Sequence, residues 1–208
     1  MASTYTTNLG IEKIADGEQT ETWGDTTNTN FDLIDQGING IISITLASAG
    51  TSGSPNNLPI TDGTVSDGRN KFIEFVDGGD LGATAYVQLT PNDAEKLVFI
   101  RNSLSASRSL IVFQGTYNAS NDFEILNGQD VVLKFDGAGT GATVAQVFNN
   151  LSVAGLTFGD DDIAQFGADN DLQIYYDSFS SGSVIKGSGQ TYIQGSNLYF
   201  RNGVGNQT

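Results

Sequence analysis

Residues 71–115, KFIEFVDGGDLGATAYVQLTPNDAEKLVFIRNSLSASRSLIVFQG, indicate the fold of most of this chain. Four short runs rich in β-branched and aromatic residues are separated by segments of Gly, Asp, Asn, Pro and Ser, a pattern typical of strands joined by turns. Similar runs begin before and after this stretch, at IISITL, QDVVLKFDG and ATVAQVFN. Strands at this spacing predict an antiparallel β-sandwich over residues 46–150.

Several of these strands are apolar on both faces. The runs FIEFV, LVFI and LIVF lack the regular polar positions of a half-solvated strand. Each face therefore needs a covering layer, and we expect the opposite sheet to supply one and a neighbouring subunit the other.

The segment before the strands, residues 21–38 with the sequence ETWGDTTNTNFDLIDQGI, predicts one short helix. Phe31, Ile34 and Ile38 recur at intervals of three and four and so share a helix face. The terminal signals are an N-cap at Thr29 or Asn30, a capping-box acid at Asp32, and an end marked by Gly37 and Gly40.

A helix of about ten residues is marginal in water, so its apolar stripe must pack against another surface. Residues 1–20 show no sustained period and read as an arm, which places an arm with a short helix at residues 1–45. One interpretation is that the helix caps the adjacent sheet of its own subunit. In the other, the arm and helix dock onto a partner protein through Trp23, Phe31, Leu33, Ile34 and Ile38.

The last part of the chain, residues 151–208, differs in character. Its strands are very short and are interrupted by Gly, Asp or Asn, so the segment cannot build a large core alone. We expect it to be a β shaft segment intertwined with identical copies. The chain has no Cys for disulfides or a thiolate metal site, so association between copies is the remaining way to stabilise a small unit. The aromatic residues expected to pack in the shaft trimer are Phe158, Phe166, Tyr175, Tyr176, Tyr192, Tyr199 and Phe200.

Composition restricts the chemistry that the chain can perform. It contains no Cys and no His, which excludes disulfides, thiolate metal sites and His-dependent triads. Its net charge of -15 disfavours binding to nucleic acid or to anionic lipid, and we expect neither partner. No export signal and no membrane-spanning run is visible, so we expect no membrane association.

Three groups of residues suggest a cofactor site, a metal site or catalysis. Turns explain the first two groups better, and nothing in the sequence assembles the third. Gly137, Gly139 and Ala142 match a dinucleotide-binding pattern, yet the following residues alternate like a strand, which favours a hairpin. The acidic residues Asp160, Asp161, Asp162, Asp169 and Asp171 fit no calcium-loop spacing and read as solvated turns. The carboxylates available for paired acid–base catalysis are Glu74, Asp77, Glu95, Glu124 and Asp136. Nothing in the sequence brings two of these carboxylates together, so we expect no enzyme activity and no cofactor or metal.

The N-terminal sequence MASTYTTNLGIEKIADGEQTETWGDTTNTNFDLIDQGINGI resembles the N-terminal, tail-attachment region of tail fibres of tailed bacteriophages, especially marine and cyanobacterial phages. GADNDLQIYYD resembles an element repeated in those fibres, and NKFIEFVDGGDLGA with GTYNASNDFEI is similar to a domain found in them. The chain departs from these fibres in lacking a large receptor-binding tip.

The resemblance implies a structural virion protein without chemistry, made in the bacterial cytoplasm, that attaches a host-adsorption fibre to the tail. It implies a homotrimer whose partners are a tail adaptor or nozzle protein and, beyond it, a distal fibre or a host-surface glycan. Two alternatives stay open: a head fibre or decoration protein, and a glycan-binding or depolymerising tail module.

Overall fold

The computed structural model describes residues 2–148, 157–166 and 172–189. The chain divides into two compact units, Met1–Leu151 and Ser152–Thr208. The described residues are mainly β-strand, with one α-helix near the N-terminus. The arm, the helix and the two largest sheets all belong to the first unit.

The first unit begins with a two-stranded antiparallel ribbon and the helix, followed by nine strands. The ribbon strands are β1 (Thr4–Tyr5) and β2 (Glu12–Lys13), and the helix is α1 (Trp23–Asn39). The further strands are β3 (Ile41–Leu46), β4 (Asn56–Pro59), β5 (Phe72–Asp77), β6 (Ala85–Thr90), β7 (Glu95–Asn102), β8 (Leu110–Gln114), β9 (Phe123–Ile125), β10 (Asp130–Asp136) and β11 (Val144–Gln146).

These nine strands form two sheets, ordered β11-β10-β7-β5-β3 and β4-β6-β8-β9. From β3 to β8 the chain passes to the other sheet after every strand, so β3, β5 and β7 run parallel, as do β4, β6 and β8. Only the pairs formed by β9, β10 and β11 are antiparallel among these two sheets. The prediction of an antiparallel sandwich is therefore wrong for strands β3 to β8, which form a coil of parallel pairs. Turn-rich links look alike in sequence whether they close a hairpin or cross to the opposite sheet.

The space between the two sheets holds one hydrophobic core of nineteen buried residues. Ile73, Val98 and Leu133 enter it from the five-stranded sheet, and Val87 and Leu110 enter it from the four-stranded sheet. Each fully buried aliphatic or aromatic side chain contributes roughly 1.5–3 kcal/mol, so this core is the main source of apolar stabilisation in the first unit.

Two buried amide side chains hold the loops at the ends of β7 and β8. The Asn102 amide donates to the carbonyls of Arg108 (2.9 Å) and Ile125 (2.8 Å), and its Oδ1 accepts from the Leu104 N–H. Gln114 makes the equivalent set of bonds to Pro91, Ala94 and Gly137. Both side chains satisfy backbone groups that would otherwise be buried without partners.

The segment after β10 is a hairpin, as predicted. A short 3₁₀ turn at Gly139–Gly141 leads into β11, which pairs antiparallel with β10. The glycines that match a dinucleotide-binding pattern therefore lie in a turn between two strands. The βαβ context that such a motif requires is not formed there.

The helix is longer than predicted and starts earlier. It begins at Trp23 rather than after Thr29 or Asn30, because the carbonyl of Gln19 accepts the N–H groups of Thr22 and Trp23 and supports an earlier first turn. The prediction of an N-cap at Thr29 or Asn30, with Asp32 as its capping-box partner, is wrong. The helix also passes through Gly37 and ends at Asn39.

Gly40 ends the helix because no other residue fits there. Its N–H donates to the Gln36 carbonyl, and a Cβ on residue 40 would meet that carbonyl oxygen and the Asn70 side chain in a severe clash. The chain then enters β3 directly, so α1 is joined rigidly to the edge of the five-stranded sheet.

In the second unit, three strands form an antiparallel meander. They are β12 (Ile163–Phe166), β13 (Leu172–Asp177) and β14 (Gly182–Gly187). No side chain that the structure describes within residues 157–164 and 172–189 is buried. Among the described residues this contrasts with the first unit, and the expectation that residues 151–208 have little core of their own stays a prediction.

Candidate docking surface on the N-terminal helix

One face of α1 is fixed to its own subunit. Leu33 is completely buried, and Leu9 of the arm packs where Gly37 lacks a side chain. The Asn30 amide accepts from the Glu12 N–H and donates to the Glu12 carbonyl, both at 2.9 Å. These contacts hold the helix against the arm through specific polar and apolar groups.

The arm is in turn held on the body of the first unit. The Gly10 carbonyl accepts the Gly63 N–H at 2.7 Å, and the Asn8 side chain accepts the Glu95 N–H at 2.9 Å. Because β7 begins at Glu95, this last bond links the arm to the central strand of the five-stranded sheet. The arm therefore forms a platform under the helix.

The adjoining face of α1 presents an apolar stripe to solvent. At about 100° per residue, Trp23, Phe31, Ile34 and Ile38 lie within a sector of roughly 80°. Trp23 is 64% exposed and Phe31 is 62% exposed, Ile38 is similarly open, and Ile34 is half-buried. We name these four residues the helix stripe. Large apolar side chains grouped in this way are characteristic of protein interaction sites.

Leu33 does not belong to this surface. It was expected to dock with the other four residues, but it is 0% exposed. The reason is its position, since Leu33 lies about 100° from Ile34 on the helix and so points to the inner face. The inner face of α1 thus packs on its own subunit, whereas docking of the exposed face onto a partner stays a prediction.

The helix stripe has an acidic border. Asp25, Asp32 and Asp35 follow next around the helix, and α1 carries no Lys or Arg. Asp25 in the first turn also interacts favourably with the helix dipole. A protein that binds this surface needs an apolar groove with a basic rim.

The aromatic residues expected in the shaft do not share one face. Tyr175 and Tyr176 are neighbours on β13 and so point to opposite sides of the meander. Phe158 and Tyr176 are exposed, and Tyr175 is half-buried. The Phe166 backbone is in β12, whereas Tyr192, Tyr199 and Phe200 lie outside the described residues.

Both faces of the meander carry apolar rows. Ile174 pairs between Ala164 and Ile185 on one face, and Tyr175 pairs between Ile163 and Val184 on the other. A sheet of this size with apolar residues on both sides needs covering layers that it cannot provide itself. This arrangement gives the second unit two surfaces suited to packing against other chains.

The acidic residues considered for catalysis or metal binding serve as turn and strand partners. Asp77 accepts the N–H and hydroxyl of Ser105, and Glu74 accepts the hydroxyl of Ser103. Hydrogen bonds from Thr143 lower the pKa of Asp136. Glu95 and Glu124 belong to strands of different sheets. Glu74, Asp77 and Asp136 thus hydrogen-bond to nearby Ser or Thr residues, and Glu95 and Glu124 lie on separate sheets.

The acidic run in the second unit behaves similarly where the structure describes it. Asp161 accepts the N–H and the hydroxyl of Ser178, and this hydroxyl lowers the pKa of Asp161. Asp169 and Asp171 lie outside the described residues. Within the described ranges, no three Asp or Glu side chains converge as a metal-binding group.

A basic cluster under the arm is a feature that sequence reasoning missed. Lys96 donates to the Arg69 carbonyl at 3.0 Å, and burial lowers the pKa of Lys96 to about 8. Burial also lowers the pKa of Arg69, whose Nη2 donates to the carbonyls of Thr61 and Thr64. No residue spacing signals this cluster, because the three-dimensional coil brings β7 against the turn before β5.

Of the residues that the structure describes, none belongs to a helix with the length and apolarity required to cross a membrane. Comparison of the chain with protein-family models, with curated proteins and with solved structures gave no match.

Proposed function

We propose that this protein is a structural component of a virus particle, a tail fibre or its anchoring segment, which attaches a host-adsorption fibre to the tail of a bacteriophage. In this role α1 docks onto a tail adaptor or nozzle protein through the helix stripe. Copies of the chain associate as a homotrimer, and the chain performs no chemistry.

The observation that carries the proposal is the helix stripe on a helix whose other face is fixed. Trp23 and Phe31 remain largely exposed although Leu33, on the same helix, is fully buried. A helix that only capped its own domain would turn its largest apolar side chains inward. The resemblance of residues 1–41 to tail-attachment regions supports a virion partner for this surface.

The meander of the second unit supports association between copies. Its described side chains form no buried core, and apolar residues lie on both of its faces. Packing three such segments around an axis covers surfaces that one chain leaves open. A homotrimer formed through this unit also suits an elongated fibre.

The proposal is tested by particle incorporation. A Phe31→Ser, Ile38→Ser double variant removes two exposed residues of the helix stripe. Val65→Ser is the matched control, because Val65 is 59% exposed and its neighbour Ser66 contacts α1 at Gln36, on the side of the helix that faces away from the stripe. Both proteins are produced in a host carrying a phage that lacks the gene. We expect the control to enter particles and the double variant to stay folded but unincorporated. Equal incorporation of both would refute docking through the helix stripe.

Two experiments distinguish the proposed role from the alternatives: the position of the protein on the virus particle, and a test for glycan binding. Labelled antibody should bind at the tail in electron micrographs, whereas labelling of the head would replace the proposal with a head fibre or decoration protein. Neither of two open clefts in the first unit has a wall of exposed aromatic rings such as glycan sites use. We therefore expect no binding on a glycan array.

A further inference from the structure

An apolar band crosses the outer face of the five-stranded sheet. Strand register places Ile41 beside Phe72, Phe72 beside Phe99, and Phe99 beside Val132. The Val147 N–H donates to the Val132 carbonyl and continues the row just beyond the end of β11. These five residues, which we name the sheet band, lie on the side of the sheet that faces away from the core.

The sheet band is open over much of its length. Ile41 is 77% exposed and Phe99, on the central strand, is 43% exposed, while Phe72 and Val132 are half-buried. A sheet with one face on a core usually alternates apolar and polar residues, so its outer face is mainly polar. A continuous apolar row over all five strands departs from that pattern and indicates a contact surface.

The two borders of the sheet band carry opposite charge. On one border, Arg101 lies between Glu74 and Asp130, with ion-pair distances of 3.7 and 3.0 Å. On the other border, Lys134 pairs beside Leu97, and the Lys71 ammonium donates to the Leu97 carbonyl and lies 6.0 Å from the centre of the Phe99 ring.

This charge pattern points to an identical chain as the occupant. Two chains of net charge -15 repel each other over most of their surfaces, but the borders of the sheet band hold three of the nine cations and two carboxylates. Contact here brings together a surface that carries cations as well as carboxylates, although Glu95 and Asp136 pair just beyond the basic border. It also lets the acidic border of one copy face the basic border of the other.

We infer that two copies of this chain pack face to face through the sheet band, related by a twofold axis that runs along the band. This operation places Phe99 of one copy against Phe99 of the other. Because it exchanges the two borders, it also places Asp130 opposite Lys134 and Glu74 opposite Lys71 of the second copy. A twofold axis along the strands would instead oppose Glu74 to Asp130 and Arg101 to Arg101.

The contact is of modest size. Four inter-strand spacings make the band about 19 Å long, and its two border rows span about 13 Å along the strands. This surface is smaller than the roughly 800 Å² per partner of a standard interface, so we expect association that depends on concentration. If the proposed threefold contact through the second unit also forms, a closed assembly that contains both contacts has six copies.

Sedimentation equilibrium over a range of concentrations tests the inference with the full chain of 21.9 kDa. We expect the wild-type mass to approach two or six chains, and Phe99→Asp to halve it, with no effect of Val65→Asp. Thermal unfolding of each variant checks that the first unit remains folded. A wild-type trimer would agree with the homotrimer of the proposed function and overturn the twofold contact. A wild-type dimer would agree with the twofold contact and overturn the homotrimer, and a monomer would overturn both proposals.

A charge exchange tests the orientation. Asp130→Lys and Lys134→Asp should each weaken association by at least tenfold, since each places like charges across the contact. The double variant restores opposite charges between copies and should recover most of the affinity. Failure of the double variant to recover, with each single variant folded, would exclude this twofold axis.

Discussion

Two serine substitutions only two residues apart in α1 should have very different effects on stability. Phe31→Ser removes an exposed ring from the helix stripe, and Leu33→Ser removes a buried side chain from the inner face. The chemical change is similar, an apolar side chain replaced by the same small polar one. The contrast therefore measures which face of the helix is packed.

The expected magnitudes follow from burial. Phe31 is 62% exposed, so its packing covers roughly 75 Å² of a side chain of about 200 Å², worth at most about 2 kcal/mol. Partial burial in the unfolded chain reduces this value to about 1 kcal/mol. Leu33 is fully buried, and its loss together with a buried hydroxyl should cost about 4 kcal/mol of unfolding free energy.

The same area argument predicts the effect on docking. The exposed part of Phe31 is roughly 125 Å², and covering it by a partner is worth about 3 kcal/mol. Phe31→Ser should thus weaken partner binding by about 100-fold while leaving most of the fold stability intact. Trp23→Ser should act in the same direction.

Urea unfolding followed by circular dichroism measures the stability difference, and a constant slope with denaturant shows that the two-state comparison is valid. Val65→Ser serves as the control for replacement of an exposed apolar residue. If Phe31→Ser destabilised the protein as much as Leu33→Ser, the helix stripe would be part of the fold, and the assignment of this face to a partner would fail.

Three further predictions concern the first unit. Asn102→Ala removes three hydrogen bonds to backbone groups, two of them buried, and should lower the unfolding free energy by about 3 kcal/mol in urea. Gln114→Ala should give a similar loss. Burial lowers the pKa of Lys96 to about 8, so between about pH 8 and 10.5 the folded protein binds fewer protons than the unfolded one. The stability of the protein should therefore rise with pH in this range. Lys96→Met should flatten this rise in thermal melts recorded at a series of pH values. Hydrogen bonds from Arg108 and the Gly82 amide lower the pKa of Asp80 to about 2. The contribution of ionised Asp80 to folding stability is therefore present above about pH 4 and is lost as the pH falls toward 2. The melting temperatures of Asp80→Asn and of the wild type should converge at pH 2.

The helix stripe and the sheet band divide the apolar surface of the first unit between two kinds of contact. The stripe has an acidic border without cations, which suits a basic partner, whereas the band carries both signs and suits a second copy. Ile38 near the end of α1 and Ile41 at the start of β3 are only three residues apart. Pairing through the band therefore fixes the relative positions of two docking helices.

Much of the architecture can be predicted from local pattern. Period-two runs such as IISITL and the turn residues between them predict the strands, and apolar residues at intervals of three and four predict the helix. The exposed members of the helix stripe, Trp23, Phe31 and Ile38, are also found in this way. These signals are visible because they depend on neighbours within one element.

Other properties depend on contacts between distant residues, and only the tertiary structure shows them. The sequence does not distinguish a hairpin from a turn that crosses to the opposite sheet, so the parallel coil of β3 to β8 was not predicted. The early start of α1 depends on the Gln19 carbonyl, and the inner face of the helix is held by contacts of Asn30 with Glu12 and of Gly37 with Leu9 of the arm. The sheet band requires strand register, because residues as far apart as Ile41 and Val132 become members of one row only after the chain has coiled. Local composition thus determines which elements form, and long-range packing decides which of their faces remain open.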